Sequence, residues 1–147
     1  MSLRVQKIKN GTVIDHIKPG KAFNVLKILG IDCNYPETVT VMMNAKSKKF
    51  GKKDIVKIEN RNLEKKEIDK ISLLSPDAKV NIIKNSRVVE KHEVEIQDII
   101  SDVLSCTNPD CITSHEEIKT KFYVISKNPL VMRCHYCERL VSELKFK

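Results

Sequence analysis

The sequence predicts an α+β protein in two parts: a ferredoxin-like split βαβ antiparallel sheet with two helices on one face, followed by a small all-β zinc-binding domain. Three observations predict it. Runs of alternating or β-branched residues are interrupted twice by helix-spaced apolar positions, in the order hairpin, helix, two strands, helix, two strands, which a split βαβ layout covers most economically. Two close cysteine pairs then follow, Cys106 with Cys111 and Cys134 with Cys137, separated by 22 residues. The charge balance changes as well: residues 1–97 hold 20 Lys and Arg against 12 Asp and Glu, and residues 98–147 hold 7 against 7, so the whole +8 is N-terminal.

Residues 3–9 alternate apolar and polar as a half-buried strand does, and Asn10-Gly11 is a two-residue hairpin signal leading into a partner strand over 12–17. Pro19-Gly20 ends it. Ala22, Val25, Leu26, Ile28 and Leu29 fall at helical spacing, with Gly30 where a C-terminal cap belongs. Residues 38–43 are rich in β-branched side chains and predict a strand, a basic turn spans 46–53, and 54–59 return as a strand. Residues 63–74 carry the second helical pattern, stopped by Ser75-Pro76. Strands are expected over 79–83 and 87–94, around Lys84-Asn85-Ser86. Lys9-Asn10, Glu59-Asn60 and Lys84-Asn85 end their runs alike, because asparagine tolerates the left-handed backbone at strand exits. The charge change places the boundary near residue 97, giving domains 1–97 and 98–147. Beyond it, 117–126 and 130–133 read as strands and 140–146 alternate to the end. About 50 residues cannot bury a sufficient core alone, so the cysteines are expected to replace part of it.

Four cysteines in two close pairs can supply four thiolates in tetrahedral geometry, the closed set that a structural Zn²⁺ takes. Such a set leaves no open position for water or substrate. One structural Zn²⁺ per chain is therefore expected, with folding of the last segment tied to its binding. Disulfides fit poorly, since the chain has five cysteines and Met1-Ser2-Leu3-Arg4 opens no charged-then-apolar leader, which points to a cytoplasmic, reducing setting. Redox use of Cys134 and Cys137 would leave Cys106 and Cys111 unexplained. His115 and His135 are expected as neighbours of the site rather than ligands.

No apolar run is long enough to span a membrane, and aromatic residues make up 5% with no Trp, against a base-stacking surface for single-stranded nucleic acid. Four thiolates around Zn²⁺ would bring the C-terminal segment from zero to −2, an unfavourable sign for gripping phosphate backbone and one that suits a protein partner. The four glycines, at 11, 20, 30 and 51, form no phosphate-loop or dinucleotide fingerprint. Asp15-His16 with Cys33 would make a thiol hydrolase only with a third orienting group. Adjacent strand residues face opposite ways, so only one of Asp15 and His16 is expected to point into the core. Lys57 reads as an outward lysine on a half-exposed sheet, and the basic 46–53 turn as a solvated tip that would attract a polyphosphate if it is functional. A nucleic-acid-binding zinc ribbon with a basic N-terminal face remains the alternative from another class.

Gly11-Thr-Val-Ile-Asp-His-Ile17, Lys53-Asp-Ile-Val-Lys-Ile-Glu-Asn60, Ala78-Lys-Val-Asn81, and Cys106 and Cys111 with Cys134-His-Tyr-Cys-Glu138 occur in one order over nearly the whole chain. In this combination the sequence resembles the regulatory chain of aspartate carbamoyltransferase. The resemblance implies a non-catalytic subunit of pyrimidine biosynthesis, with an N-terminal nucleotide-binding domain and a C-terminal zinc domain that docks on the catalytic chain. It implies regulatory homodimers joined through their N-terminal domains, CTP as inhibitor and ATP as activator competing for one site, and neither membrane nor nucleic acid as partner. Carried over by position, Asp15, Lys57, Asn81 and Lys91 would hold the nucleotide with His16 beside them, while Val5, Ile8, Ile83 and Val88 would flank the base. The resemblance departs at Ser86, where a relative carries Tyr.

Overall fold

The computed structural model describes residues 8–48 and 51–147, which divide into one unit ending at Val94 and another from Glu95 to Lys147. At the centre of the first lies β1 (Gly11–Ile17), in an all-antiparallel sheet with β2 (Val39–Ser47), β3 (Gly51–Glu59), β4 (Lys79–Lys84) and β5 (Arg87–Glu93). The strand order β2-β3-β1-β4 is that of a split βαβ sheet, with β5 added at the β4 edge. Helices α1 (Ala22–Ile28) and α2 (Lys65–Leu74) cover one face. Their Ala22, Val25, Leu29 and Ile71 pack with Ile14, Ile17, Val56, Ile58, Val80 and Ile82 of the strands. The expected fold is therefore found.

The hairpin expected at Asn10-Gly11 is not. Strand β1 is bonded to β3 on one side and β4 on the other, so both its edges are taken by strands from later in the chain. Residues 1–7, which hold most of that expected strand and the base-flanking Val5, lie outside the described residues. Asn10 instead ties strand exits together: its carbonyl accepts from the Asn60 N–H at 2.9 Å and its side-chain oxygen from the Asn85 N–H at 3.1 Å. Asn60 and Asn85 have the positive φ expected of them. Gly11 is needed for a different reason. Its φ is +145°, and a Cβ there would lie 2.1 Å from the Ile58 carbonyl oxygen across the ladder. Gly11→Ala is expected to lower stability by about 3 kcal/mol, read from chemical denaturation of the full chain.

Helix α1 ends as its Gly30 suggested. Gly30 has φ +69°, its N–H reaches the Lys27 carbonyl, and the Ile31 N–H reaches that of Leu26, the two bonds of a Schellman turn. The start of the helix is held by a residue from another strand. Asp54 of β3 is fully buried and accepts from the N–H groups of Gly20 (3.0 Å), Ala22 (3.2 Å) and Asn44 (2.9 Å).

The second unit is a four-stranded antiparallel sheet, β6 (Ile99–Ser101), β7 (Lys121–Lys127), β8 (Leu130–Cys134) and β9 (Leu140–Val141), with a 3₁₀ turn at Ile112–Ser114. The strand expected from 117 starts only at Lys121, because Thr120 turns its hydroxyl to the Leu104 carbonyl and its own carbonyl to the Asp102 N–H. The alternating tail pairs as a strand only at Leu140–Val141, and Phe146 returns to bridge Leu104. Phe122, Met132 and Leu104 form its small buried centre together with Cys106, Cys111 and Cys134.

Candidate functional site

Two sites emerge, one in each unit. In the second, the sulfurs of Cys106, Cys111, Cys134 and Cys137 all lie within 4.8 Å of one another. Cys106 and Cys137 are 3.7 Å apart and Cys111 and Cys134 3.8 Å. A disulfide would require about 2.0 Å. Four thiolates at about 2.3 Å from a shared tetrahedral ion stand about 3.8 Å apart, so the cluster has the dimensions of a metal site. All four expected ligands are brought together, and neither histidine is among them. His135 is instead hydrogen-bonded through Nδ1 to the Tyr123 hydroxyl at 2.7 Å.

Each cysteine pair sits on a tight turn whose N–H groups point at sulfur. Burial pushes the Cys106 thiol up to about 12, against the opposing backbone N–H of Asn108. It also raises Cys134, although the N–H groups of Cys137 and Tyr136 bond to that sulfur. At Cys137, burial is outweighed by the Asn108 side chain and the Arg139 N–H, leaving this thiol down at about 7. Binding a cation must therefore expel protons from buried thiols, so acid weakens it. Asn108 is a residue the sequence reading missed. It is buried, its carbonyl accepts from Cys111 N–H and Ser114 Oγ, and its side chain bonds to Asp110 N–H as well as Cys137.

The other site lies on the sheet face away from the helices. Thr40, Lys57, Val13, Asn81 and Lys91 stand opposite one another across β2, β3, β1, β4 and β5, so three expected ligand residues from three strands share one row. The next row of the same face is Asp15, Lys79 and Glu93. On the other side of it stand Ile83 and Val88, paired across β4 and β5. Ile8 is buried beside Gly11.

Asp15 and His16 do not face opposite ways. The β1–β3 register slips between Ile14 and Ile17, His16 has φ +55°, and both isoleucines are buried. A bulge thus inserts one residue into the outer face, and Asp15 and His16 both line a cleft of about 450 Å³. Asn81, Val88 and Lys91 line it too, with Lys79, His92 and Glu93, which the sequence reading did not single out. Burial raises the Asp15 carboxyl, but a hydrogen bond from Lys53 and the His16 N–H outweigh it and hold the group below its ordinary range. The Lys53 ammonium is 3.0 Å from Asp15, so this lysine belongs to the face of the sheet rather than to a solvated tip. Lys57, Lys79 and Lys91 form no ion pair with any described residue. Uncompensated ammoniums on one sheet face favour an anion; Lys79 and Lys91 line the cleft, and Lys57, in the same row as Asn81, is not among its lining residues. Cys33 is exposed in the loop after α1.

Comparison with known proteins agrees with this two-site arrangement. The family model described as aspartate carbamoyltransferase regulatory chain, allosteric domain, matches residues 3–95, and the one described as its metal binding domain matches residues 98–147. The chain is 54% identical to the aspartate carbamoyltransferase regulatory chain of Pyrococcus horikoshii, over 96% of this chain and 93% of that one. It is 53% identical to that of Methanocaldococcus jannaschii, over 99% and 96%, and 50% identical to that of Methanothermobacter thermautotrophicus, over 95% and 90%.

Proposed function

Since this chain belongs to the family of aspartate carbamoyltransferase regulatory chains, a non-catalytic subunit with an allosteric and a metal-binding domain, we propose that it senses nucleotides and relays their binding to catalytic chains. The observation that carries the reading is the single row of Lys57, Asn81 and Lys91 on one sheet face. Lysine ammoniums there would meet phosphate oxygens, Asp15 would accept from a ribose hydroxyl, and His16 would stand beside them. Val5, Ile8, Ile83 and Val88 would flank the base, where backbone N–H and C=O groups distinguish an amino from a keto edge. CTP would inhibit and ATP activate, each by binding one quaternary state better than the other.

The metal is Zn²⁺ in this reading, one per chain, because four thiolates in tetrahedral array select it and fill its coordination shell. It supplies rigidity and no reaction. The domain it organises, residues 98–147, would dock on a catalytic chain, and residues 1–97 would hold the nucleotide and pair with a second regulatory chain. The complex would work in the cytoplasm. Among the described residues, no helix is long and apolar enough to cross a membrane, and neither membrane nor nucleic acid is a proposed partner.

Calorimetric titration of the full chain with CTP and ATP tests the site. Lys57→Ala is expected to weaken binding about tenfold or more, the loss of one charge-assisted contact, without disturbing assembly. Wild-type affinity in that variant would count against the site, and an aspartate saturation curve of the assembled enzyme indifferent to both nucleotides would sink the regulatory role.

A further inference from the structure

The lysine one row beyond the proposed ligands lies within the Ala78–Asn81 motif but carries no role there. Lys79 stands between Asp15 on β1 and Glu93 on β5, lines the same cleft and is exposed. Its cross-strand neighbour Asp15 is already matched, by Lys53 at 3.0 Å. The other neighbour, Glu93, makes no ion pair with any described residue. We infer that Lys79 is a further anion-binding residue of the cleft, which holds the distal phosphates of a nucleoside polyphosphate and makes the site count phosphates. The inference rests on the nucleotide reading above and deepens it.

Spacing supports the assignment. Ile83, Asn81 and Lys79 follow one another at two-residue steps on the outer side of β4, about 7 Å each. The apolar end of the cleft, at Val88 with Ile83 its cross-strand partner, is thus separated from Lys79 by the row that contains Asn81 and Lys91. Lys79 and Lys91 are diagonal neighbours on adjacent strands, about 7–8 Å apart at the backbone. That distance lets two four-carbon stems bring their ammoniums to successive groups of one phosphate chain. A base at the apolar end leaves the far end of the chain at Lys79.

The surrounding charges determine how the effect should scale. His16, Asp15 with its Lys53, Lys91, His92 and Glu93 are the titratable groups around Lys79. His92 is turned to Glu90, at 3.1 Å. With Lys79 neutralised, the Glu93 carboxylate would face the phosphate chain without its cross-strand counter-charge. The loss should therefore grow with each phosphate added, whereas a merely structural role would affect all nucleotides alike.

The test is calorimetry of the full chain with CMP, CDP and CTP at fixed ionic strength. Lys79→Gln is expected to weaken CTP about fivefold to tenfold, CDP less, and CMP less than twofold, the range of a partly screened charge pair. Lys79→Arg, which keeps the charge, is expected to preserve the order CTP, CDP, CMP. Equal factors for all three nucleotides, unchanged CTP affinity in Lys79→Gln, or an arginine variant that behaves like the glutamine one would each overturn the inference. A wild-type chain that binds none of the three would instead overturn the nucleotide reading itself.

Discussion

Cys106→Ala, or removal of the metal by a chelator, is expected to unfold the unit from Glu95 to Lys147 while leaving the unit ending at Val94 folded. The hydrophobic centre of the cysteine unit is small, with Leu104, Phe122 and Met132 at its heart, and three of the four ligands are themselves buried. A bound ion supplies an apparent 10–16 kcal/mol for thiolate sites of this kind, on the order of the whole stability of a domain. Without it, burial keeps Cys106 and Cys134 as protonated thiols, Cys106 above all at about 12. Hydrogen exchange with metal analysis reads the outcome. Amides of β7 and β8 should lose protection, bound metal should fall to a trace, and amides of β1 and β4 should be unchanged. Persisting protection in β7 of a metal-free chain would refute the metal's structural role, and co-purification of Cys106→Ala with a catalytic chain would refute docking through this domain.

Asp54→Ala is expected to have the largest effect in the first unit. The carboxylate is fully buried and is the acceptor for three backbone N–H groups, one opening α1 and another at Asn44, where the β2–β3 register slips. Truncation leaves those donors unpaired at about 1–3 kcal/mol each, on the order of 4 kcal/mol in all. In a domain this size that lowers the melting temperature by roughly 20 °C. Asp54→Asn, which keeps an acceptor oxygen and the shape, should lose about half as much. An alanine variant melting within about 2 °C of wild type would show that Asp54 does not hold the strand and helix together.

Several of these features were legible beforehand. The four ligands were readable because each cysteine pair is a local motif. The helical spacing of Ala22, Val25 and Leu29 and the cap at Gly30 were readable for the same reason. Asp54 left a trace that was not used: it shares parity with the buried Val56 and Ile58, so alternation alone turns it inward. Asn108 left none, since a polar residue inside a cysteine turn looks like any other turn residue. The Asn10-Gly11 hairpin was misjudged because a turn signal reports how the chain bends, and the two strands already bonded to β1 decided what lay beside it.

The sequence by itself determined the chemical inventory and the local grammar: four thiols in two pairs, two helices, strands of known parity, and an excess of positive charge confined to the first part. Tertiary structure decided which of those groups meet. Period-two alternation assigns a residue to a face of the sheet but not to a partner, and partner choice is set by ladder register among strands far apart in the chain. That register aligned Lys57, Asn81 and Lys91 and set Lys79 beside Asp15. A bulge of one residue then turned Asp15 and His16 to the same side, against the alternation that separates neighbours on a regular strand.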